Sequence, residues 1–285
     1  MAGARPARGR RYDRRMSQSP SAEFGLVIVG DEILSGKRAD KHMPKVIELL
    51  AARGLQLAWA EYVGDSPERI TATLKRAMAS QAVVFSCGGI GATPDDHTRQ
   101  CAARAAGLAL ELHPQAEALI RERMQDTARE QGTVYEPDRA DNVHRLNMGV
   151  FPQGARIIPN PYNKIPGFSL QDVHFVPGFP VMAWPMLEWV LDQYYPQLFR
   201  QQAYQELSVI VFGAMEAALT PLMEEIERDH PAVKVFSLPS VDHPQHGRHI
   251  DLGVKGEPAD VRPAYTQLLE GLAKQGARLG PELVR

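Results

Sequence analysis

Residues 82–98 read Ala-Val-Val-Phe-Ser-Cys-Gly-Gly-Ile-Gly-Ala-Thr-Pro-Asp-Asp-His-Thr. The apolar run Ala82–Phe85 has the length of a buried strand, and it opens into three glycines and two adjacent carboxylates. Gly88, Gly89 and Gly91 permit positive φ and let a ligand approach bare backbone N–H groups. A helix start near Thr93–Asp96 would add its own N–H groups, giving a concavity suited to phosphate. Asp95 and Asp96 repel a phosphate unless a divalent cation lies between them. The stretch therefore predicts a phosphorylated small molecule held with a hard metal. The structural alternative is a tight strand-to-helix turn capped by Asp or Thr. The loop lacks the Lys-Ser/Thr ending of a Walker loop and the spacing of the dinucleotide fingerprint.

Working outward, apolar runs and helical stripes alternate. Phe24–Val29 reads as a buried strand, Asp40–Arg53 as a helix stopped by Gly54, and Leu55–Val63 as a second strand. Ser66-Pro67 opens a helix over Glu68–Ser80; the third strand then leads to a helix over Asp96–Gly107. This β-α-β-α-β-α order with short links predicts a three-layer α/β/α sandwich around a mostly parallel sheet. Ligands in such folds bind beyond the carboxyl ends of the strands, where all three loops lie.

Pro114–Gln131 reads as a further helix and residues 132–150 as polar and irregular. Ala155–Ile158 and Val173–Val176 read as strands flanking a stiff loop over residues 159–168, and a helix follows over Val181–Tyr194. A small α+β subdomain over residues 205–278 reads β-α-β-β-α: Leu207–Phe212, Glu216–Asp229, Val233–Leu238, Ile250–Val254 and Ala259–Gln275. The main domain is expected over residues 22–198, behind a disordered arginine-rich segment at 1–21.

The 285 residues, 44% hydrophobic and 23% charged, describe an ordinary globular chain. No apolar stretch is long enough to span a membrane. Residues 1–20 carry six arginines against Asp13, hence +5, which leaves −7 on the remainder of a chain whose net charge is −2. The acidic body weighs against nucleic acid as a partner. The basic segment has no apolar centre of a signal peptide and reads as a disordered extension, with an over-long reading frame starting truly at Met16 as one form of it. Two cysteines, Cys87 and Cys101, make no disulfide framework, so the chain is expected to be cytoplasmic. Cys87 beside the glycine loop invites a nucleophile reading, but a small buried cysteine at a strand end is the commoner case.

Three ordered loops carry a resemblance. Gly30-Asp31-Glu32-Ile33-Leu34-Ser35-Gly36, Val63-Gly64-Asp65 and Gly88-Gly89-Ile90-Gly91-Ala92-Thr93-Pro94-Asp95-Asp96-His97-Thr98 resemble the molybdopterin-binding, MoaB/Mog-like domain. Ile158-Pro159-Asn160-Pro161, Pro166-Gly167-Phe168 and Val176-Pro177-Gly178-Phe179-Pro180 resemble the branch typified by the N-terminal region of competence/damage-inducible protein A. The first and third loops are also similar to the N-terminal domain of eukaryotic FAD synthase. The resemblance spans about residues 22–195.

The resemblance implies a phosphorylated ligand, molybdopterin or a nucleotide, with a divalent metal such as Mg²⁺, Mn²⁺ or Co²⁺. In this branch it implies metal-dependent pyrophosphatase activity on ADP-ribose- or FAD-like dinucleotides; elsewhere it implies adenylation of molybdopterin or molybdenum insertion. It also implies a homo-oligomer, dimer or trimer. Carried over by motif, Asp96, Asp65 and Glu32 are the expected metal ligands, with Asp96 and Asp65 catalytic. Gly30, Gly88, Gly89, Ile90, Gly91, Thr93, Asn160 and Lys164 are the expected phosphate and ligand contacts. Ala92 departs from the usual proline and frees φ there. The deamidase domain of full-length competence proteins has no counterpart in residues 205–285.

Plainer alternatives stand beside each assignment. Asp65 could cap the helix at Ser66-Pro67, Asp95 could cap the turn, and Glu32 could hydrogen-bond the Ser35-Gly36 backbone. Lys164 could be a solvated surface lysine and Asn160 a brace for its turn. His243, His246 and His249 lie in a hairpin connection, where loop histidines rarely converge without Cys or carboxylate partners. Trp59, Trp184 and Trp189 read as core or interface residues. A non-catalytic binder of molybdopterin needs only the glycine amides, whereas a hydrolase also needs the carboxylates to converge.

Overall fold

The computed structural model describes residues 22–199 and 205–285. The arginine-rich segment and Met16 lie outside the described residues. Cα proximity groups the chain up to Ile47 with Gln56–Tyr194 in one unit, and Glu48–Leu55 with Tyr195–Arg285 in a second.

In the first unit the strands are β1 (Phe24–Val29), β2 (Leu57–Val63), β3 (Val83–Cys87), β4 (Leu110–Leu112), β5 (Val150–Pro152), β6 (Arg156–Ile158), β7 (Gly167–Leu170) and β8 (Val173–Val176). The helices are α1 (Asp31–Leu34), α2 (His42–Ala51, grouped with this unit up to Ile47), α3 (Pro67–Ala79), α4 (Thr98–Ala106), α5 (Pro114–Glu130), α6 (Ala140–Arg145) and α7 (Pro180–Tyr194). Six strands form one sheet in the order β2-β1-β3-β8-β7-β6. β1 runs parallel to β2 and β3, and β3 parallel to β8; β7 and β6 return antiparallel. Each of β1, β3 and β8 is buried along its whole length, as continuous apolar runs in a parallel sheet require.

Side-chain alternation divides the core between the two faces of this sheet. Val27, Val29 and Val84 pack with Ile70 and Leu74 of α3 and with Cys101 and Ala102 of α4. Phe168 and Phe175, paired across β7 and β8, stack with ring centroids 4.4 Å apart, and Phe151 stacks on Phe168 at 4.6 Å. α7 buries Ala183, Met186, Leu187, Val190 and Leu191. The expected three-layer sandwich with a mostly parallel sheet is the fold observed.

Local chemistry fixes the element ends. Ser66 caps α3, accepting from the Arg69 N–H at 3.4 Å, with Pro67 at the first helical position. α4 begins at Thr98, two residues later than expected. The Asp96 carboxylate turns back to the Thr93 N–H at 2.8 Å, and the Thr98 N–H donates to Gly89 O at 2.9 Å. The segment expected to be irregular, 132–150, holds α6 and runs into β5, which pairs antiparallel with β4. β7 joins β8 through a two-residue turn at Gln171-Asp172, with Gln171 at positive φ.

The second unit has β9 (Gln205–Phe212), α8 (Glu216–Asp229), β10 (Lys234–His243), β11 (Gly247–Gly256), α9 (Pro258–Lys274) and β12 (Arg278–Val284). Its antiparallel sheet has the order β10-β11-β9-β12. β12 extends the unit past the expected limit at 278 and closes it as β-α-β-β-α-β, a ferredoxin-like arrangement. β12 escapes a reading by period because Gly280 and Pro281 interrupt it and its register shifts between Leu279 and Glu282. Val209, Val211, Leu252 and Val254 face Leu222, Ile226, Val261 and Leu268 of the helices.

Candidate functional site

β2, β1 and β3 are neighbours and run parallel, so the turns that follow them emerge from one edge of the sheet. Strand spacing of about 4.8 Å puts the outer two of these three ends about 10 Å apart. The first two turns are tied directly. The Gly30 N–H donates to Val63 O at 3.0 Å. The Asp31 N–H donates to Asp65 Oδ2 at 2.9 Å, and the Asp65 N–H returns the bond to Asp31 Oδ1 at 3.2 Å. This exchange leaves Asp31 Oδ2 and Asp65 Oδ1 without a hydrogen-bond partner among the described residues.

The third turn closes over the end of β1. Gly88 has φ +105, and a Cβ on it would fall 2.3 Å from Val29 O. Its N–H continues the ladder to Val176 O at 3.0 Å, while the Thr98 hydroxyl donates to its carbonyl at 3.1 Å. The N–H groups of Gly89, Ile90 and Gly91 donate to no backbone carbonyl among the described residues. Beneath them Arg99 is buried, and its Nη1 donates to Ile90 O at 2.6 Å. A guanidinium there lends positive potential to the bend.

The carboxylates share one field. Asp65 has its pKa raised above the ordinary carboxylate value, first by burial and then by the charges of Asp31, Glu32 and Asp95. All three turns thus send an acid to the same neighbourhood. Glu32 folds back over the first turn, its Oε2 lying 2.6 Å from where a Gly30 Cβ would sit. Asp96 is taken up within its own turn: Oδ2 accepts from both the N–H and the hydroxyl of Thr93. The helix cap considered for Asp65 is supplied by Ser66. Among the described residues, no group of three or more His, Cys, Asp or Glu is gathered to hold a metal ion.

The loop after β6 emerges at the same edge, since Ile158 pairs with Gly167 and Phe168 with Phe175. It lies three strands from β3, about 14 Å away. Asn160 is buried and fully used in its turn: Nδ2 donates to Asn163 Oδ1 at 2.8 Å and Ile165 O at 2.9 Å, and Oδ1 accepts from the Tyr162 N–H at 3.0 Å. Lys164 Nζ lies 2.6 Å from both Glu122 and Asp126, which ties the loop to α5. Cys87 is fully buried, and burial drives its thiol pKa far upward, so the sulfur stays protonated. A separate cleft of about 330 Å³, lined by Ala77, Met78, Gln81 and Val173, opens at the opposite edge of the sheet.

Four residues of this site carry little signal in the sequence. Asp31 is adjacent to the expected ligand Glu32, and its role follows only from the pairing of β1 with β2. Arg99 reads as an ordinary helix residue. Asp40 caps α2, accepting from the His42 and Met43 N–H groups and from the Tyr62 hydroxyl. His42 is buried, with Nε2 2.9 Å from Gly178 O, and a Cβ on Gly178 would lie 3.5 Å from Gly88 Cα. His42 therefore braces the turn against which the glycine loop rests. The one local signal was the polar cluster Asp40-Lys41-His42 at a helix start.

Comparison with known proteins identifies the domain that carries these turns. Residues 25–198 match the family described as probable molybdopterin binding domain. A CinA-like protein of Citrifermentans bemidjiense is 32% identical over 205 residues, covering 70% of this chain and 46% of that protein. One of Geobacter metallireducens is 30% identical over 267 residues, covering 91% of this chain and 60% of that protein. The chain thus spans about half the length of these CinA-like relatives. The crystal structure of a Thermoplasma acidophilum protein, titled CinA with unknown function, superposes with a TM-score of 0.51 at 25% identity, covering 60% of this chain and 97% of that one. The match to the family model covers more than half of the sequence, and the chain belongs to the family described as probable molybdopterin binding domain, with CinA-like proteins among its relatives.

Proposed function

We propose that the mouth formed by the three turns binds a phosphoanhydride and hydrolyses it, with an ADP-ribose- or FAD-like dinucleotide as substrate and a divalent metal as cofactor. The observation that supports this most is the pairing of two complements at one sheet edge. The N–H groups of Gly89, Ile90 and Gly91 are without backbone acceptors, and the mutually bonded Asp31 and Asp65 each keep one oxygen unpaired. The amides suit phosphate oxygens. Oxygen donors suit a hard cation, and the raised pKa of Asp65 marks a carboxylate cluster that a cation would relieve.

A preformed set of three protein ligands is not required. Mg²⁺ characteristically keeps several waters and binds through one or two carboxylates plus substrate phosphates. Asp31 and Asp65 would hold it, with Glu32 in reach of the same field and Asp96 bracing the glycine turn. When bound, such a cation supplies charge neutralisation at the diphosphate and a water of lowered pKa. The chain's own part is to seat one phosphate on the 89–91 amides, with the Arg99 charge beneath. In the reaction the oxygen of water bonds to one phosphorus and the bridging P–O bond breaks. ADP-ribose then gives AMP and ribose 5-phosphate, the water's protons passing to the two monoesters and solvent.

A second reading, a non-catalytic carrier of molybdopterin or a related phosphorylated ligand, is favoured by the family's description and by the absence of a gathered carboxylate triad among the described residues. The two separate in one experiment. The purified chain is incubated with ADP-ribose, FAD or NAD and with Mg²⁺, Mn²⁺ or Co²⁺. AMP release that is lost in Asp65→Asn supports the hydrolase. Tight ligand binding with no AMP from any pairing leaves the carrier.

A further inference from the structure

The hairpin between β10 and β11 reads Asp242-His243-Pro244-Gln245-His246-Gly247-Arg248-His249. The sequence weighs against convergence of its histidines, yet the fold brings all three rings together. β10 ends at His243, which pairs with Gly247 across a register shift, and His249 pairs with both Ser240 and Phe212. The centroids of His243 and His246 lie 4.9 Å apart, those of His243 and His249 5.2 Å, and those of His246 and His249 5.5 Å.

Those separations match the spacing of imidazoles around one ion, although the His243 and His246 rings are stacked at 12° and must turn to reach it. With a metal–nitrogen bond of about 2.0–2.1 Å, each ring centroid lies about 3.2 Å from the ion, so two imidazoles at a tetrahedral angle have centroids about 5.2 Å apart. The nitrogens also lean towards this use. His249 is buried, and its Nδ1 lies 2.9 Å from Gly247 O, so it donates there and presents the lone pair of Nε2. A second ring nitrogen held by a backbone carbonyl is the usual support of a ligating histidine. Neither ring nitrogen of His246 is hydrogen-bonded to a described residue.

His243 Nδ1 accepts from the N–H groups of Gln245 and His246, each at 3.3 Å, the long end of such bonds. Turning that ring about χ2 releases them and offers the other nitrogen. Two residues along the same strand face, Asp251 keeps Oδ1 buried and unpaired while Oδ2 meets Arg285 at 2.9 Å. On the other side Phe212 meets His246 edge-on and carries the Arg278 guanidinium on its face, 5.2 Å from the ring centroid.

We infer that His243, His246 and His249 form a binding site for a first-row divalent cation of the imidazole-preferring class, such as Zn²⁺, separate from the oxygen-ligand mouth of the first unit. The three nitrogens are not yet gathered on a point in this structure, so the site closes by rotation of the His243 and His246 rings. Three imidazoles leave one tetrahedral position for water or a further ligand.

The test uses the untagged full chain titrated with Zn²⁺ against a chromogenic chelator, with circular dichroism to verify folding. One equivalent should bind with sub-micromolar affinity, and His246→Ala and His243→Ala should each weaken it at least about 100-fold, while Asp65→Asn leaves it unchanged. His246 is only partly buried, so its replacement does not threaten the fold. Absence of stoichiometric binding overturns the inference. So does binding that survives both histidine substitutions, or binding that disappears in Asp65→Asn instead, because the ion then belongs to the mouth. The outcome is independent of whether the mouth hydrolyses anything.

Discussion

Replacement of Gly88 by alanine probes the closure of the glycine loop over β1. The added Cβ would sit 2.3 Å from Val29 O and 3.3 Å from Val29 C, and both are backbone atoms that cannot swing aside. A carbon–oxygen contact needs roughly 1 Å more, so either the loop lifts or β1 shifts, at about 1–3 kcal/mol for overpacking. The φ of +105 adds about 1–3 kcal/mol of backbone strain for a residue with a side chain. The sum, about 4 kcal/mol, corresponds to a fall in melting temperature of about 8–16 °C for a domain of this size. Gly36 supplies the control: its φ is +72 but nothing lies within 4 Å of its Cβ position. Gly36→Ala should cost only the conformational part, about 1 kcal/mol or about 2–4 °C. Thermal unfolding followed by circular dichroism compares the two. Equal melting temperatures for both variants would refute the close approach on which the shape of the mouth depends.

Asp65→Asn should separate stability from function. Its carboxyl has a raised pKa, so the folded state favours the proton and the ionised form costs stability above that titration. The variant should therefore melt no lower than wild type at pH 7, the difference vanishing as pH falls through the titration. Its AMP release from ADP-ribose should drop at least about 100-fold, which a pH series of melts alongside a turnover assay would show. Arg99→Met keeps the aliphatic stem but orphans Ile90 O, and urea titration should register a loss of about 2 kcal/mol with weaker phosphate-ligand binding. His174 is buried beside Ser169, and burial pushes its pKa down to about 3, with the Arg156 charge acting in the same direction. Stability present above pH 6.5 should be lost as pH falls from 6.5 towards 3, by at most about 5 kcal/mol. A flat stability curve across that window would show that His174 is not buried as a neutral ring.

Much of the architecture was legible because long apolar runs have few structural uses. Phe24–Val29 could only be a buried strand, and Ser66-Pro67 states a helix start in two residues. The strands that escaped are those whose partners come from elsewhere in the chain. Leu110–Leu112 and Val150–Pro152 are three residues each and define a sheet only by meeting. Gly167–Leu170 begins inside a loop rich in proline. At the site, residue types were readable but relations were not. That Asp31 and Asp65 exchange hydrogen bonds depends on β1 lying beside β2, which no local pattern encodes. Lys164 looked like a phosphate ligand because its loop is rigid, yet two acids of α5 engage it. The hairpin histidines lie ring against ring through a register shift that spacing alone does not reveal.

The central claim is that phosphate oxygens settle on the amides of the 89–91 bend, and selective ¹⁵N-glycine labelling reads that contact directly. Titrating ADP-ribose with Mg²⁺ should move the Gly89 and Gly91 amide resonances in proportion to saturation. Gly107 and Gly154, whose Cβ positions have nothing within 4 Å, should stay fixed. Saturable binding with Gly89 and Gly91 unmoved would contradict the account.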